Sequence, residues 1–148
     1  MITSIVVGFD GSEAAERALR MACEIAEKFG AALEVSHTPK DETVAFAAEA
    51  ISGFYVGPNA IQPELLTEAA DKMKARAKEI AADVGFGPLS IYIGHGDPAD
   101  DLLKRAEVVK ADLIVTGRRG LGNLRGLLLG STSHDISSRA TCACMTVA

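Results

Sequence analysis

Short apolar runs alternate with helical stretches along this chain, and that alternation limits its fold more than any other feature. A strand is predicted at residues 5–7, followed by a turn at residues 8–11 and a helical pattern that stops at Gly30. Further strands are predicted at residues 31–38, Leu89–Ile93, 112–116 and 142–147. Further helices are predicted from Pro63 to a stop at Gly85, at residues 99–109 and at Ser131–Arg139. Strands separated by helices form a parallel sheet covered on both faces, so the chain is predicted to be an α/β protein.

One segment, residues 41–62, does not follow the pattern. It carries Gly53, Gly57 and Pro58 and is compatible with a short helix or a loop. No internal repeat or linker interrupts the rest, so one domain over residues 1–148 is expected. Hydrophobic residues make up 48% of the chain and charged residues 24%, which favours a packed core over disorder.

Charge and apolar patterning exclude several classes of function. The formal net charge is −5, and the densest basic stretch is Arg118-Arg119 with Arg125. That stretch suits one phosphate group, whereas a nucleic-acid partner would need a longer basic track. No apolar run approaches the roughly 20 residues that span a membrane. The N-terminus also lacks a signal-peptide pattern, so a cytoplasmic protein is expected.

The cysteines and histidines do not form a pattern that would pair thiols or bind a metal. Cys23, Cys142 and Cys144 cannot all be paired, and Cys142-Ala-Cys144 differs from the CxxC redox spacing. Buried or half-buried thiols are therefore expected. The three histidines are expected to be structural or solvent-facing, with His134 the nearest to the loop described next.

A glycine-rich loop follows the fourth predicted strand. Five glycines lie between Gly117 and Gly130, and Ser131, Thr132 and Ser133 follow at a predicted helix start. Glycines let the backbone approach a phosphate, and the N–H groups of a helix start attract anions. The hydroxyls would add donors, and Arg118 or Arg119 would add charge. The pattern predicts a phosphate site, although it lacks the lysine of a Walker loop.

Three local alternatives remain open. The loop could be plain, with Ser131 or Thr132 as an ordinary helix cap. Asp10 could accept hydrogen bonds from a ribose, or it could begin a capping box at residues 10–13. The residues Gly94-His-Gly96-Asp-Pro-Ala99 fit a dinucleotide fingerprint, but Asp97 would repel a pyrophosphate, so a tight turn before a capped helix is favoured.

These residues resemble the universal stress protein family. Its ATP-binding members carry G-x2-G-x9-G-[ST] after the fourth strand, which Gly117, Gly120, Gly130 and Ser131 match. The opening IVVGFDGS and the stretch GHGDPADDLLKRAEVVKADLIVTG are also similar to the family. The resemblance covers the chain outside residues 41–62.

The resemblance implies a single open parallel sheet of five strands in the order 3-2-1-4-5, with Asp10 beside Gly117. It also implies ATP as the ligand, with magnesium or manganese bridging the phosphates. The implied nucleoside contacts are Gly8, Phe9, Asp10, the backbone of Thr38, and Thr116 with Gly117 at the ribose. The implied phosphate contacts are Arg119, Gly120, Gly130, Ser131, Thr132 and Ser133.

The family also implies a homodimer formed through the last strand. This chain departs from the usual proline and aliphatic residues there, carrying Cys142-Ala-Cys-Met-Thr-Val147. A regulatory, ATP-binding role in stress response is the main hypothesis. A slow ATPase or autophosphorylating enzyme is the alternative, and a module that binds no nucleotide is disfavoured by the intact motif. Efficient hydrolysis is not expected, because the loop has no acidic residue or lysine. Gly117→Ala and Gly130→Ala are each expected to weaken binding and leave the fold intact.

Overall fold

The computed structural model describes residues 1–39, 63–120 and 129–148. The strands are β1 (Ser4–Gly8), β2 (Ala32–His37), β3 (Leu89–Ile93), β4 (Leu113–Gly117) and β5 (Ala143–Val147). The helices are α1 (Glu13–Phe29), α2 (Pro63–Asp83), α3 (Pro98–Val108) and α4 (Ser131–Arg139). The strands form one sheet in the order β3-β2-β1-β4-β5, with every neighbouring pair parallel. The predicted fold class and strand order are both confirmed.

Two predictions fall on residues outside the described ranges. One is the short helix or loop at residues 41–62. The other is the middle of the glycine-rich loop, which contains Gly122, Arg125 and Gly126.

Apolar side chains hold helices against both faces of the sheet. On one face α1 and α2 enclose a cluster that includes Val7, Leu19 and Ile80. On the other face α3 and α4 contribute Leu102 and Ile136 to a second cluster. Burying one such side chain stabilises a protein by about 1.5–3 kcal/mol. Ile136, which is 1% exposed, therefore fixes α4 and the loop end that precedes it.

Capping side chains set where the helices begin. Ser12 is the N-cap of α1, and its hydroxyl accepts a hydrogen bond of 3.2 Å from a helix N–H. The capping-box alternative for Asp10 is therefore wrong, because its carboxylate accepts from the N–H of Ser12 at 2.9 Å, before the helix begins. Asp97 caps α3 as predicted, accepting from the N–H of Ala99 at 2.9 Å.

The cysteines differ in their surroundings. Cys23 is buried in α1, and burial raises the pKa of its thiol to about 11. Cys142 is half-buried, as expected. Cys144 is exposed, so the expectation is wrong for this residue, because β5 is an edge strand with a neighbour on one side. No helix in the described ranges is both long and apolar enough to cross a bilayer.

Candidate functional site

The centre of the sheet brings two of the predicted site segments together. β1 and β4 are hydrogen-bonded neighbours, with Gly8 aligned to Thr116. Asp10 follows β1 and Gly117 ends β4, so both lie at the carboxyl edge where the strand order reverses. In open α/β sheets this is the position where ligands bind.

Asp10 is held in a defined position against the glycine-rich loop. One carboxylate oxygen accepts from the N–H of Ser12 at 2.9 Å. The other lies so close to Gly120 that a Cβ on Gly120 would collide with it. The hydroxyl of Ser12 lies 3.4 Å from the carbonyl oxygen of Arg119, to which it donates. The start of the loop is therefore packed onto the turn after β1.

The two ends of the glycine-rich loop are fastened to each other. The N–H of Gly130 donates to the carbonyl oxygen of Arg118 at 2.8 Å. The hydroxyl of Ser133, a residue only 3% exposed, lies 3.1 Å from the carbonyl oxygens of both Arg118 and Gly130. This hydroxyl is therefore bonded within the protein. The predicted contact between Ser133 and phosphate would be made by its backbone N–H instead.

The helix start at the loop end has no side-chain cap. Gly130 is the N-cap of α4, and among the described residues no side chain accepts a hydrogen bond from the N–H groups of the first turn. The alternative that made Ser131 or Thr132 an ordinary cap is wrong, because both residues lie inside the helix. The first N–H groups of an α-helix lack partners within the helix, so those of α4 suit an anion.

Gly117 has a structural role that the sequence did not reveal. A Cβ on this residue would lie 2.8 Å from backbone atoms of Ala14 and Ala15 in α1. The expectation that Gly117→Ala leaves the fold intact is therefore wrong. A Cβ on Gly130 would come no nearer than 3.4 Å to any neighbour, which is ordinary van der Waals contact.

Phe9 supports the site from within the protein. Its ring is 3% exposed and belongs to the cluster beneath α1. Its N–H donates to the carbonyl oxygen of Ser36 at 2.9 Å. Its own carbonyl oxygen accepts from Nδ1 of His37 at 2.7 Å. Burial lowers the pKa of His37, which favours the neutral ring with its proton on Nδ1. His37 is thus structural, as predicted.

Thr38 directly follows β2 and is anchored by a residue that was not among the predicted contacts. Its hydroxyl donates to the carboxylate of Asp101, in the first turn of α3, at 2.6 Å. The turn before α3 is the tight one predicted, with Gly96 at φ 85 and Asp97 as the cap.

Of the other two histidines, His134 lies in the first turn of α4, and its N–H donates to the carbonyl oxygen of Gly130 at 2.9 Å. His134 is exposed on α4. His95 borders an open cavity of about 230 Å³ between β3 and α3, which also includes Tyr92 and Asp101. Within the described ranges, no group of three or more His, Cys, Asp or Glu side chains is arranged to hold a metal ion.

Solved structures of similar chains include two nucleotide complexes. A universal stress protein from Archaeoglobus fulgidus, solved in complex with dAMP, is 26% identical, with a TM-score of 0.68 and 100% of both chains covered. A universal stress protein solved in complex with cAMP is 29% identical, with a TM-score of 0.62, and covers 99% of this chain and 96% of its own.

Sequence comparison gives the same family. Universal stress protein YxiE of Bacillus subtilis is 31% identical over 150 residues, which cover 99% of each chain. The model of the universal stress protein family matches residues 1–148. The chain therefore belongs to the universal stress protein family.

Proposed function

We propose that this chain binds ATP in the crevice above the carboxyl ends of β1 and β4 and serves as a regulatory protein in stress response. The observation that carries the proposal is the convergence of Asp10, Gly120 and Gly130 at this point. A carboxylate from the turn after β1 meets a close-approach glycine and a helix start without a side-chain cap, which come from the two ends of the glycine-rich loop. A nucleotide requires that combination, with polar groups for the sugar and an anion site for the phosphates.

The phosphates would lie at the start of α4. The backbone N–H groups of Ser131, Thr132 and Ser133 form the first turn and carry the positive end of the helix dipole. Ser131 is exposed and Thr132 half-buried, so their hydroxyls can face the phosphates. Arg119 would add a charge-assisted contact.

The nucleoside would lie toward β1 and β2. Asp10 would accept from the ribose hydroxyls, and the backbone of Thr38 would meet the adenine edge. Gly8, Phe9, Thr116 and Gly117 would form the floor. Support for adenine comes from the relatives solved with dAMP and cAMP, both of which are adenine nucleotides.

A divalent ion, magnesium or manganese, would be held mainly through the phosphate oxygens. The described residues offer no cluster of three ligating side chains. Magnesium commonly binds through substrate phosphates and one or two carboxylates, with water completing its coordination.

We also propose a homodimer formed through β5. This strand lies at the edge of the sheet, so one side of its backbone is open to pairing. Cytoplasmic location and a single domain over residues 1–148 stay predictions from the sequence.

The test of ATP binding starts with protein purified without added nucleotide. The protein is denatured, and released small molecules are identified by mass spectrometry. The stripped protein is then titrated with ATP, GTP and inorganic tripolyphosphate by calorimetry. We expect ATP to bind most tightly; absence of an adenine nucleotide from the extract together with no binding in the titration would refute the proposal. Measuring phosphate release over hours separates a regulatory binder from a slow ATPase.

A further inference from the structure

The carboxylate of Asp101 links the end of β2 to β3 and α3. One of its oxygens accepts the hydroxyl proton of Thr38 at 2.6 Å. The other lies 3.4 Å from the hydroxyl of Tyr92, which is a weaker contact. Both hydroxyls bond the same charged carboxylate, so the much shorter distance makes the bond to Thr38 the stronger of the two.

The turn after β3 is shaped around this bond. A Cβ on Gly94 would collide with Asp101 and would lie 2.9 Å from the hydroxyl oxygen of Thr38. The N–H of Gly94 donates to the carbonyl oxygen of His37 at 2.8 Å. Glycine at this position therefore leaves the space through which Asp101 reaches Thr38.

Thr38 needs an anchor because sheet pairing stops just before it. In the described part of the chain, the register between β2 and β3 ends with His37 aligned to Ile93. The peptide group between His37 and Thr38 is still held by the bond from the N–H of Gly94. No backbone hydrogen bond among the described residues fixes the carbonyl group of Thr38, so its orientation depends on how the Thr38 side chain is held. The bond to Asp101 is the strongest that the described residues give Thr38.

We propose that Asp101 is a positioning residue that orients the Thr38 backbone toward the base and sets the preference for adenine over guanine. The inference rests on the proposed ATP site. Adenine presents an amino donor where guanine presents a carbonyl acceptor. A backbone carbonyl held in one orientation accepts from the first and repels the second. A Thr38 backbone that is free to rotate would accommodate either base.

The test compares two variants: Asp101→Asn removes the charge of the acceptor but keeps an acceptor oxygen, and Thr38→Val removes the hydroxyl donor altogether. Tyr92→Phe is the matched control, because it removes only the weak contact to the same carboxylate. Each protein is titrated with ATP, GTP and inorganic tripolyphosphate, after thermal unfolding has established that it folds. Thr38→Val keeps the side-chain shape and provides the result if Asp101→Asn does not fold.

We expect Thr38→Val to lose about tenfold in ATP affinity, corresponding to one charged hydrogen bond, and Asp101→Asn, which keeps a neutral acceptor, to lose less. In both variants the ratio of ATP to GTP affinity should fall, while affinity for tripolyphosphate should stay unchanged. The double variant should be no worse than Thr38→Val, because both changes act on one interaction.

Several results would overturn the inference. One is a wild type that binds ATP together with variants that keep its preference for ATP over GTP. Another is an equal loss of ATP and tripolyphosphate affinity, which would mean that Asp101 supports the whole site and not the base. A wild type that does not bind ATP would remove the proposed function and this inference with it.

Discussion

The backbone N–H of Gly130 donates a hydrogen bond of 2.8 Å to the carbonyl oxygen of Arg118. The bond joins the end of the glycine-rich loop to its beginning, and the buried hydroxyl of Ser133 lies against the same carbonyl oxygen at 3.1 Å. The loop base is therefore held by hydrogen bonds between protein groups. Preorganisation of this kind reduces the ordering cost of binding.

Ser133→Ala should loosen the loop base. Removing a buried hydroxyl that bonds two carbonyl oxygens should cost about 0.5–1.5 kcal/mol in the free energy of unfolding. ATP affinity should fall several-fold because the ends of the loop would be joined only by the backbone bond between Gly130 and Arg118. Urea unfolding and calorimetric titration measure both effects. Ser131→Ala, at an exposed position in the same turn, is the control for stability. Equal unfolding energies for the two variants would contradict the prediction.

Replacing Gly130 or Gly117 with alanine should distinguish an effect on ATP binding from an effect on the stability of the fold. Gly130→Ala should change the free energy of unfolding by about 1 kcal/mol or less, because its methyl group meets no atom nearer than 3.4 Å. It should still weaken ATP binding, since that methyl group would stand where the phosphates approach. Gly117→Ala should destabilise the fold by about 1–3 kcal/mol through overpacking against α1.

Gly87→Ala is the matched control for both glycine variants. A Cβ there meets nothing within 4 Å, and the backbone needs no positive φ. This variant should fold and bind ATP like the wild type. Thermal unfolding and ATP titration of the three variants measure these expected differences in stability and in affinity. Wild-type ATP affinity in Gly130→Ala would refute the assignment of the phosphates to the start of α4.

His37 should make the protein less stable in mild acid. Burial lowers the pKa of its ring below the ordinary 6.5, so the unfolded chain takes up a proton that the folded chain resists. The contribution of the neutral His37 ring to the free energy of unfolding is therefore fully present above about pH 6.5. It declines as the pH falls from there toward the lowered pKa of His37 in the folded protein. Thermal unfolding between pH 7.5 and pH 5.5 (roughly the range in which histidine titrates) measures the decline.

His37→Asn tests that assignment. Asparagine can donate to the carbonyl oxygen of Phe9 without titrating, so the decline in this pH range should become smaller. His134→Asn, at an exposed position, should keep the wild-type dependence. If the loss of stability in mild acid is the same in His37→Asn as in the wild type, other groups cause it.

Thr146→Pro should weaken the proposed dimer. The N–H of Ala143 donates to the carbonyl oxygen of Asp112, just before β4, and the carbonyl oxygen of Val147 accepts from the N–H of Arg118, just after β4. The alternate residues Cys144 and Thr146 therefore direct their backbone groups to the open edge. Proline at Thr146 removes one donor from each copy, so the dimer dissociation constant should rise about tenfold or more.

Light scattering after size-exclusion chromatography, over a dilution series, measures that constant. Met145→Pro is the contrasting variant, because it removes an N–H that faces β4 and should destabilise the fold itself. A dimer of wild-type strength in Thr146→Pro would place the interface elsewhere.

The sequence predicted the elements of the fold better than their arrangement. Apolar spacing located the helices, and Asp97 and Gly30 marked helix ends because capping chemistry is local. Periodicity alone gave a parallel sheet without an order, since pairs such as Ile5 with Leu113 join distant parts of the chain. The order came from the family resemblance.

The site was predictable where it depends on a motif. Gly130 and Ser131 were found by their spacing and lie at a helix start, as expected. The bond between Thr38 and Asp101 joins residues 63 positions apart, and no local pattern signals it. The packing of Gly117 against α1 was missed for the same reason.

The burial of Cys23 allows the other cysteines to be labelled selectively. Its thiol is 1% exposed and its pKa is about 11, so a maleimide dye at neutral pH should leave it unmodified. The natural sequence can therefore be labelled at Cys144 within β5 and at the half-buried Cys142 just before it, without first removing a core cysteine. Fluorescence transfer between labelled copies would then report directly on whether two edges meet.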